Sequence, residues 1–225
     1  MSIKDNVERL MMQIDRAAAR SGRNPDEITI VAVSKSFPAE IIEEALACGI
    51  KIFGENRVQE ASQKHSVIGE KVDWHMVGHL QTNKVKEALK IFKMIQSLDS
   101  LRLAQEIEKR TTSKIECLIE INTSKEPTKF GISPNEAFDF YESVKKCKKI
   151  DVRGLMTIGP GWAIENPEAS RLCFRMLRDL RDEMSQEFDQ PFPVLSMGMT
   201  ADYEVAIAEG STMIRVGTAI FGPRN

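Results

Sequence analysis

Three short stretches hold residues whose chemistry is not explained by folding alone. The first apolar run, Ile28-Thr29-Ile30-Val31-Ala32-Val33, is followed by Ser34-Lys35-Ser36. An amine at the end of a buried strand loses solvation, its pKa falls, and the free base attacks carbonyls; a lysine reaching back to solvent fits the same position. Further along, Ser196-Met197-Gly198-Met199-Thr200 and Ile214-Arg215-Val216-Gly217-Thr218 combine hydroxyls with glycines that let backbone N–H groups approach an anion. One such glycine segment would be read as a tight turn. Two of them, each closing an apolar run, point to a phosphate cup. An amine facing a phosphate cup suits pyridoxal 5′-phosphate, whose aldehyde would form a Schiff base with Lys35 while its phosphate lies near Ser196, Gly217 and Thr218. Arg215 shares side-chain parity with Gly217 and could reach the pyridine nitrogen. A guanidinium there donates to an unprotonated nitrogen, which makes the cofactor a weaker electron sink and disfavours transamination.

These residues need a scaffold that brings strand ends to one mouth. Eight β-rich runs occur at 28–33, 50–53, 73–77, 93–97, 115–121, 152–156, 194–197 and 213–216, with a helix-compatible segment between each pair. The early runs start about 20 residues apart, one βα unit each. Eight such units make a closed (β/α)8 barrel, whose loops after strands seven and eight form its recurrent phosphate site. An open doubly wound sheet is the alternative, because alternation does not reveal closure. Residues Ile3, Val7, Leu10, Met11, Ile14, Ala17 and Ala18 share one face of an extra N-terminal helix that Gly22 ends, placed to cover the barrel bottom. Ser133-Pro134-Asn135-Glu136 is a capping box. Asn166-Pro167 opens a long helix with an apolar stripe of Leu172, Cys173, Met176, Leu177, Leu180 and Met184. No linker divides the sequence, so residues 1–225 are expected to form a single barrel domain of α/β class.

The ordered motifs resemble the pyridoxal phosphate homeostasis proteins, a family similar to the N-terminal domain of alanine racemase. They are Val33-Ser34-Lys35, Phe53-Gly54-Glu55-Asn56-Arg57-Val58-Gln59-Glu60, Trp74-His75-Met76-Val77-Gly78-His79-Leu80-Gln81-Thr82-Asn83-Lys84, Lys129-Phe130-Gly131, Gly154-Leu155-Met156-Thr157, Ser196-Met197-Gly198-Met199 and Ile214-Arg215-Val216-Gly217-Thr218-Ala219-Ile220-Phe221-Gly222. The resemblance spans nearly the whole chain. It implies a TIM barrel with Lys35 as the Schiff-base lysine, phosphate contacts around Ser196, Gly217 and Thr218, and Arg215 near the ring nitrogen. By the same analogy Asn56 and His79 line the pocket. It also implies a monomer that binds pyridoxal phosphate and helps control its free supply, with apo forms of cofactor-dependent enzymes as recipients.

A racemase or lyase using the same cofactor is the competing reading. Racemisation needs acid and base on opposite faces of a carbanion, and Lys35 supplies one face. The resemblance to racemases assigns the second face to a tyrosine of a further domain. Here the chain is expected to close with the eighth unit, and its two tyrosines, Tyr141 and Tyr203, fall in an outer helix and after the phosphate loop. A cofactor-free interaction barrel is the third possibility.

Other features argue against further chemistry. Lys plus Arg number 31 against 33 Asp plus Glu, a net charge of −2 that offers nucleic acid no basic surface. The basic run Lys145-Lys146-Cys147-Lys148-Lys149 suits a helix end. No apolar stretch approaches the roughly 18 residues of a membrane span. The N-terminus lacks a signal-peptide core, and Cys48, Cys117, Cys147 and Cys173 match neither a zinc spacing nor a disulfide frame, so a cytosolic chain is expected. His75 and His79 form H-x3-H without a third ligand, so they are read as structural or pocket residues and no metal is expected. Glu55 and Glu120 are expected as ion-pair or cap partners, and Lys129 as a surface amine near the mouth.

Overall fold

The computed structural model describes residues 2–223. Its first element, α1 (Ile3–Arg20), starts at a reciprocal cap in which the Asp5 amide donates to Ser2 Oγ at 3.1 Å and the Ser2 amide to Asp5 Oδ2 at 3.0 Å. Then strands and helices alternate: β1 (Thr29–Val33), α2 (Ala39–Ala47), β2 (Ile52–Glu55), α3 (Val58–Ile68), β3 (Asp73–Met76), α4 (Val85–Ala88), β4 (Met94–Leu98) and α5 (Leu101–Arg110). The second half runs β5 (Ile115–Glu120), α6 (Ala137–Val144), β6 (Ile150–Met156), α7 (Arg171–Glu187), β7 (Val194–Ser196), α8 (Tyr203–Ala208), β8 (Met213–Val216) and α9 (Thr218–Phe221).

All eight strands are parallel and close in sequence order. Closure rests on β1 pairing with β8, where Val31 lies opposite Arg215 and Ala32 opposite Val216. This excludes the open sheet. Apart from Asp73 and Glu116 near the starts of β3 and β5, the strands are largely buried on both faces, which is why they read as near-continuous apolar runs. Ala32, Phe53, Trp74, Ile95, Ile119, Leu195 and Ile214 face the helices in the main core. Val31, Val77, Met94, Leu118, Met156 and Met213 meet inside the barrel. The close passage of β6 and β7 depends on Gly154, where a β-carbon would fall 1.8 Å from the Val194 carbonyl oxygen.

Two local expectations need correction. Helix α1 does not cover the barrel bottom; it packs on α2, α8 and α9. Asn6 Nδ2 donates to the Ile220 carbonyl at 2.9 Å and Tyr203 Oη to Gln13 Oε1 at 3.0 Å. Among the described residues β8 is followed by the short α9, and α1 packs beside it and α8 in the outer ring. Leu172 is not core either, being 72% exposed. It stands two positions, about 200°, around α7 from buried Phe174, whose stripe continues through Leu177, Leu180 and Met184.

Candidate functional site

Lys35 sits in a turn where β1 leaves the barrel. The Ser34 amide extends the β1–β2 ladder to the Gly54 carbonyl at 3.1 Å, and the Phe37 amide then donates to the Ser34 carbonyl at 3.0 Å. Lys35 and Ser36 are the two central residues of this turn, and Ser36 adopts φ 69°, the left-handed value that type II geometry demands. The Phe37 ring packs 4.9 Å from that of Phe221, tying the turn to α9. Lys35 is half-buried. A β-carbon on Gly217 would lie 3.2 Å from the Val33 carbonyl oxygen, so the exits of β1 and β8 touch through a position without a side chain.

Arg215 projects into the barrel below this exit. Its Nη1 donates to Ser196 Oγ at 2.6 Å and its Nη2 to the Thr157 carbonyl at 2.8 Å. Ser196 Oγ donates onward to Gln96 Oε1 at 2.6 Å, and Gln96 Nε2 to His75 Nδ1 at 2.9 Å. A polar chain therefore crosses the interior from β3 to β8. Accepting a hydrogen bond at Nδ1 makes His75 the neutral Nε2–H tautomer, and burial agrees, pushing its pKa down to about 4. Burial also lowers Arg215 to about 10. Among the described residues no carboxylate lies within salt-bridge distance of this guanidinium.

Ser196, expected among the phosphate contacts, is fully buried, and its hydroxyl bridges Arg215 and Gln96. As the last residue of β7 it follows the strand's inward parity. The hydroxyl at the β8 exit belongs to Thr200, whose Oγ1 accepts from the Gly217 and Ala219 amides at 3.4 Å each. These are long bonds that a stronger acceptor would replace. Thr200 and Thr218 line one outer cavity, with Asp202 at its edge. Asp202 fixes the loop by accepting from the Met199 amide at 2.7 Å and Ser170 Oγ at 2.6 Å. Gly198 sits at φ 93° with no room for a β-carbon, which would fall 2.5 Å from Ala206 Cβ.

Asn56 and His79 line a separate open cavity of about 590 Å³ at the exits of β2 and β3. His79 shares 2.8 Å with Asp99 through its Nδ1 and stacks 4.0 Å from Phe130. His75 and His79 are thus directed to different partners. Lys129 Nζ is held between Glu126 Oε1 and the Gly159 carbonyl, both at 2.6 Å. Tyr141 Oη donates to Gln190 Oε1 at 2.7 Å, and Tyr203 turns to α1; both hydroxyls are engaged outside the barrel. Glu55 does form an ion pair, with Lys64 at 2.6 Å. Glu120 forms none among the described residues.

Burial, with the nearby Asp99 charge, raises Glu120 to about 7. A carboxyl that holds its proton more tightly when folded contributes stability that is full below its unfolded pKa and lost as pH rises through the folded one. Buried neutral His75 has the opposite slope. Over the shared range the two oppose each other, each being worth about 3 kcal/mol at 1.36 kcal/mol per pKa unit. Glu120→Gln should therefore uncover the His75 slope: the difference in urea-unfolding free energy between wild type and variant moves by about 3 kcal/mol between pH 4.5 and 7. A difference constant with pH would show that Glu120 is not shifted.

The alanine racemase N-terminal domain pattern matches residues 5–225. A protein from Aquifex aeolicus named pyridoxal phosphate homeostasis protein is 42% identical over 228 residues, covering 100% of this chain and 99% of its own length. Its namesake from Vibrio cholerae is 35% identical over 232 residues, covering 100% and 97%. PipY of Synechococcus elongatus, solved with PLP bound, matches with a TM-score of 0.81 and 33% identity over 93% of this chain and 100% of its own. Alanine racemase of Clostridium difficile shares the fold, with a TM-score of 0.75 at 16% identity over 98% of this chain and 57% of that one. By sequence along its whole length and by the course of its strands, this chain belongs to the pyridoxal phosphate homeostasis protein family, built on the alanine racemase N-terminal domain fold.

Proposed function

We propose that the barrel formed by residues 1–225 holds pyridoxal 5′-phosphate reversibly on Lys35 and buffers or delivers it. When bound, the cofactor supplies an aldehyde that condenses reversibly with an amine. The observation that carries this reading is the contact between the β1 and β8 exits, which sets the Lys35 turn beside the Gly217 amide. The donor set fits the group. At the start of α9 the Gly217 and Ala219 amides face the Thr200 hydroxyl, with Thr218 between them, which suits a phosphate. Arg215 offers a buried guanidinium held by uncharged partners, which suits the lone pair of a ring nitrogen. Ser196 acts through Arg215 in this scheme. Asn56 and His79 line the open side.

The tyrosines support binding without turnover. Both hydroxyls are engaged elsewhere, Tyr141 with Gln190 and Tyr203 with Gln13, so neither is placed as the second base that racemisation requires opposite Lys35. The PLP-bound PipY structure and the homeostasis names of the relatives support the same reading. On this account the chain is a cytosolic monomer, and its recipients are apo forms of PLP-dependent enzymes; among the described residues no helix is long and apolar enough to cross a membrane. Loaded protein, freed of excess cofactor, should lose its visible absorbance as an added apo-enzyme gains activity. With amino acids alone it should form no more than one equivalent of product. Sustained turnover would overturn the proposal.

A further inference from the structure

The two residues flanking Lys35 are both fastened to one buried charge cluster on the helix side of the barrel. Lys64 Nζ, on α3, donates to the Ser34 carbonyl at 2.8 Å, to Glu55 Oε1 at 2.6 Å and to Glu60 Oε1 at 2.7 Å. All three ammonium protons are used. Ser34 Oγ donates to the same Glu55 oxygen at 2.6 Å, and the Ser36 amide donates to the same Glu60 oxygen. Lys64 and Glu55 keep only 7% and 0% of their side-chain surface exposed.

Such a cluster is a poor way to make a barrel stable. Desolvating a buried ion pair costs about as much as its attraction returns, and apolar residues of like volume often do better. Glu55 Oε2 is buried with no hydrogen-bond partner, and burial raises the carboxyl's pKa. What the cluster does supply is geometry. It fixes the carbonyl before Lys35 and the amide after it, and thereby holds Ser36 in a left-handed conformation that serine disfavours.

We propose that Lys64 and Glu60 are positioning residues for Lys35, and that by locking its turn they slow release of the bound cofactor. This rests on Lys35 being the attachment lysine. Release consumes one water: the carbon–nitrogen double bond breaks, the carbon takes the oxygen as an aldehyde, and the lysine nitrogen regains its hydrogens as a free amine. Without Glu60 the Ser36 amide loses its acceptor, the peptide between Lys35 and Ser36 can rotate, and the lysine no longer holds one direction. Lys64 remains paired with Glu55, so the fold survives.

The test uses full-length protein loaded with pyridoxal phosphate, with release followed by loss of the bound cofactor's visible absorbance on dilution into cofactor-free buffer. Glu60→Ala should release about tenfold faster, the worth of one hydrogen bond to a charged group. Its Tm should stay within about 4 °C of wild type, because Glu60 is partly exposed on the first turn of α3. Glu60→Gln keeps an acceptor oxygen for Ser36 and should restore slow release, which a merely structural loss would not. The proposal fails if Glu60→Ala carries the cofactor on Lys35 and releases it at the wild-type rate. Attachment of the wild-type cofactor to a different lysine would overturn the underlying site assignment as well.

Discussion

Arg215→Glu is expected to abolish cofactor retention and to destabilise the barrel by about 3–5 kcal/mol, the range for removing one partner from a buried charged network. The native Arg215 is 4% exposed, and its guanidinium donates to Ser196 Oγ and the Thr157 carbonyl. A carboxylate in its place meets the Thr157 carbonyl acceptor to acceptor. It also stands where Glu120 now feels a positive charge. Ser196 would be left with Gln96 alone. Arg215→Met separates the effects: it removes the donors without burying an anion, so it should weaken binding with a smaller loss of stability. Urea unfolding and equilibrium dialysis of pyridoxal phosphate measure the two quantities. Unchanged affinity in both variants would remove Arg215 from the ring nitrogen.

Lys35→Ala should do the reverse, leaving the fold near wild type and eliminating covalent cofactor. Lys35 occupies the first central position of a turn closed by backbone atoms, with Phe37 packed on Phe221. Truncating a half-buried side chain there falls within about 1 kcal/mol in stability. The proposed phosphate contacts at Gly217 and Thr200 are untouched by the substitution, so the variant should still bind weakly, but the visible absorbance should vanish and gel filtration should strip the cofactor. A variant that kept the wild-type spectrum would place the attachment elsewhere.

Much of this was legible in the residues, for identifiable reasons. Strands buried on both faces announce themselves as apolar runs, and Ser133 and Glu136 form the reciprocal cap that their spacing implies. Closure is not a local property; it appears only when β1 meets β8. The place of α1 is likewise a long-range property, set by its packing on α8 and α9 at the other end of the chain.

Within the candidate site, the places of Ser196 and Thr200 were separable only by knowing where β7 stops. Three residues of strand put Ser196 inward under Arg215, and the turn through Gly198 carries Thr200 to the β8 exit. The Glu60–Lys64 pair has the i,i+4 spacing of a helical salt bridge, and that much is visible in sequence. That the same ammonium reaches Glu55 and the Ser34 carbonyl depends on how α3 leans against β1 and β2, which no spacing encodes.

The central claim is that one amine, that of Lys35, receives the cofactor at the joined exits of β1 and β8. Borohydride reduction of the loaded wild-type protein, followed by digestion and mass spectrometry, reads this directly. The account predicts a single pyridoxyl-phosphate adduct on the peptide containing Lys35 and none in Lys35→Ala. An adduct on Lys129 or any other lysine in the wild type, with Lys35 unmodified, would contradict it.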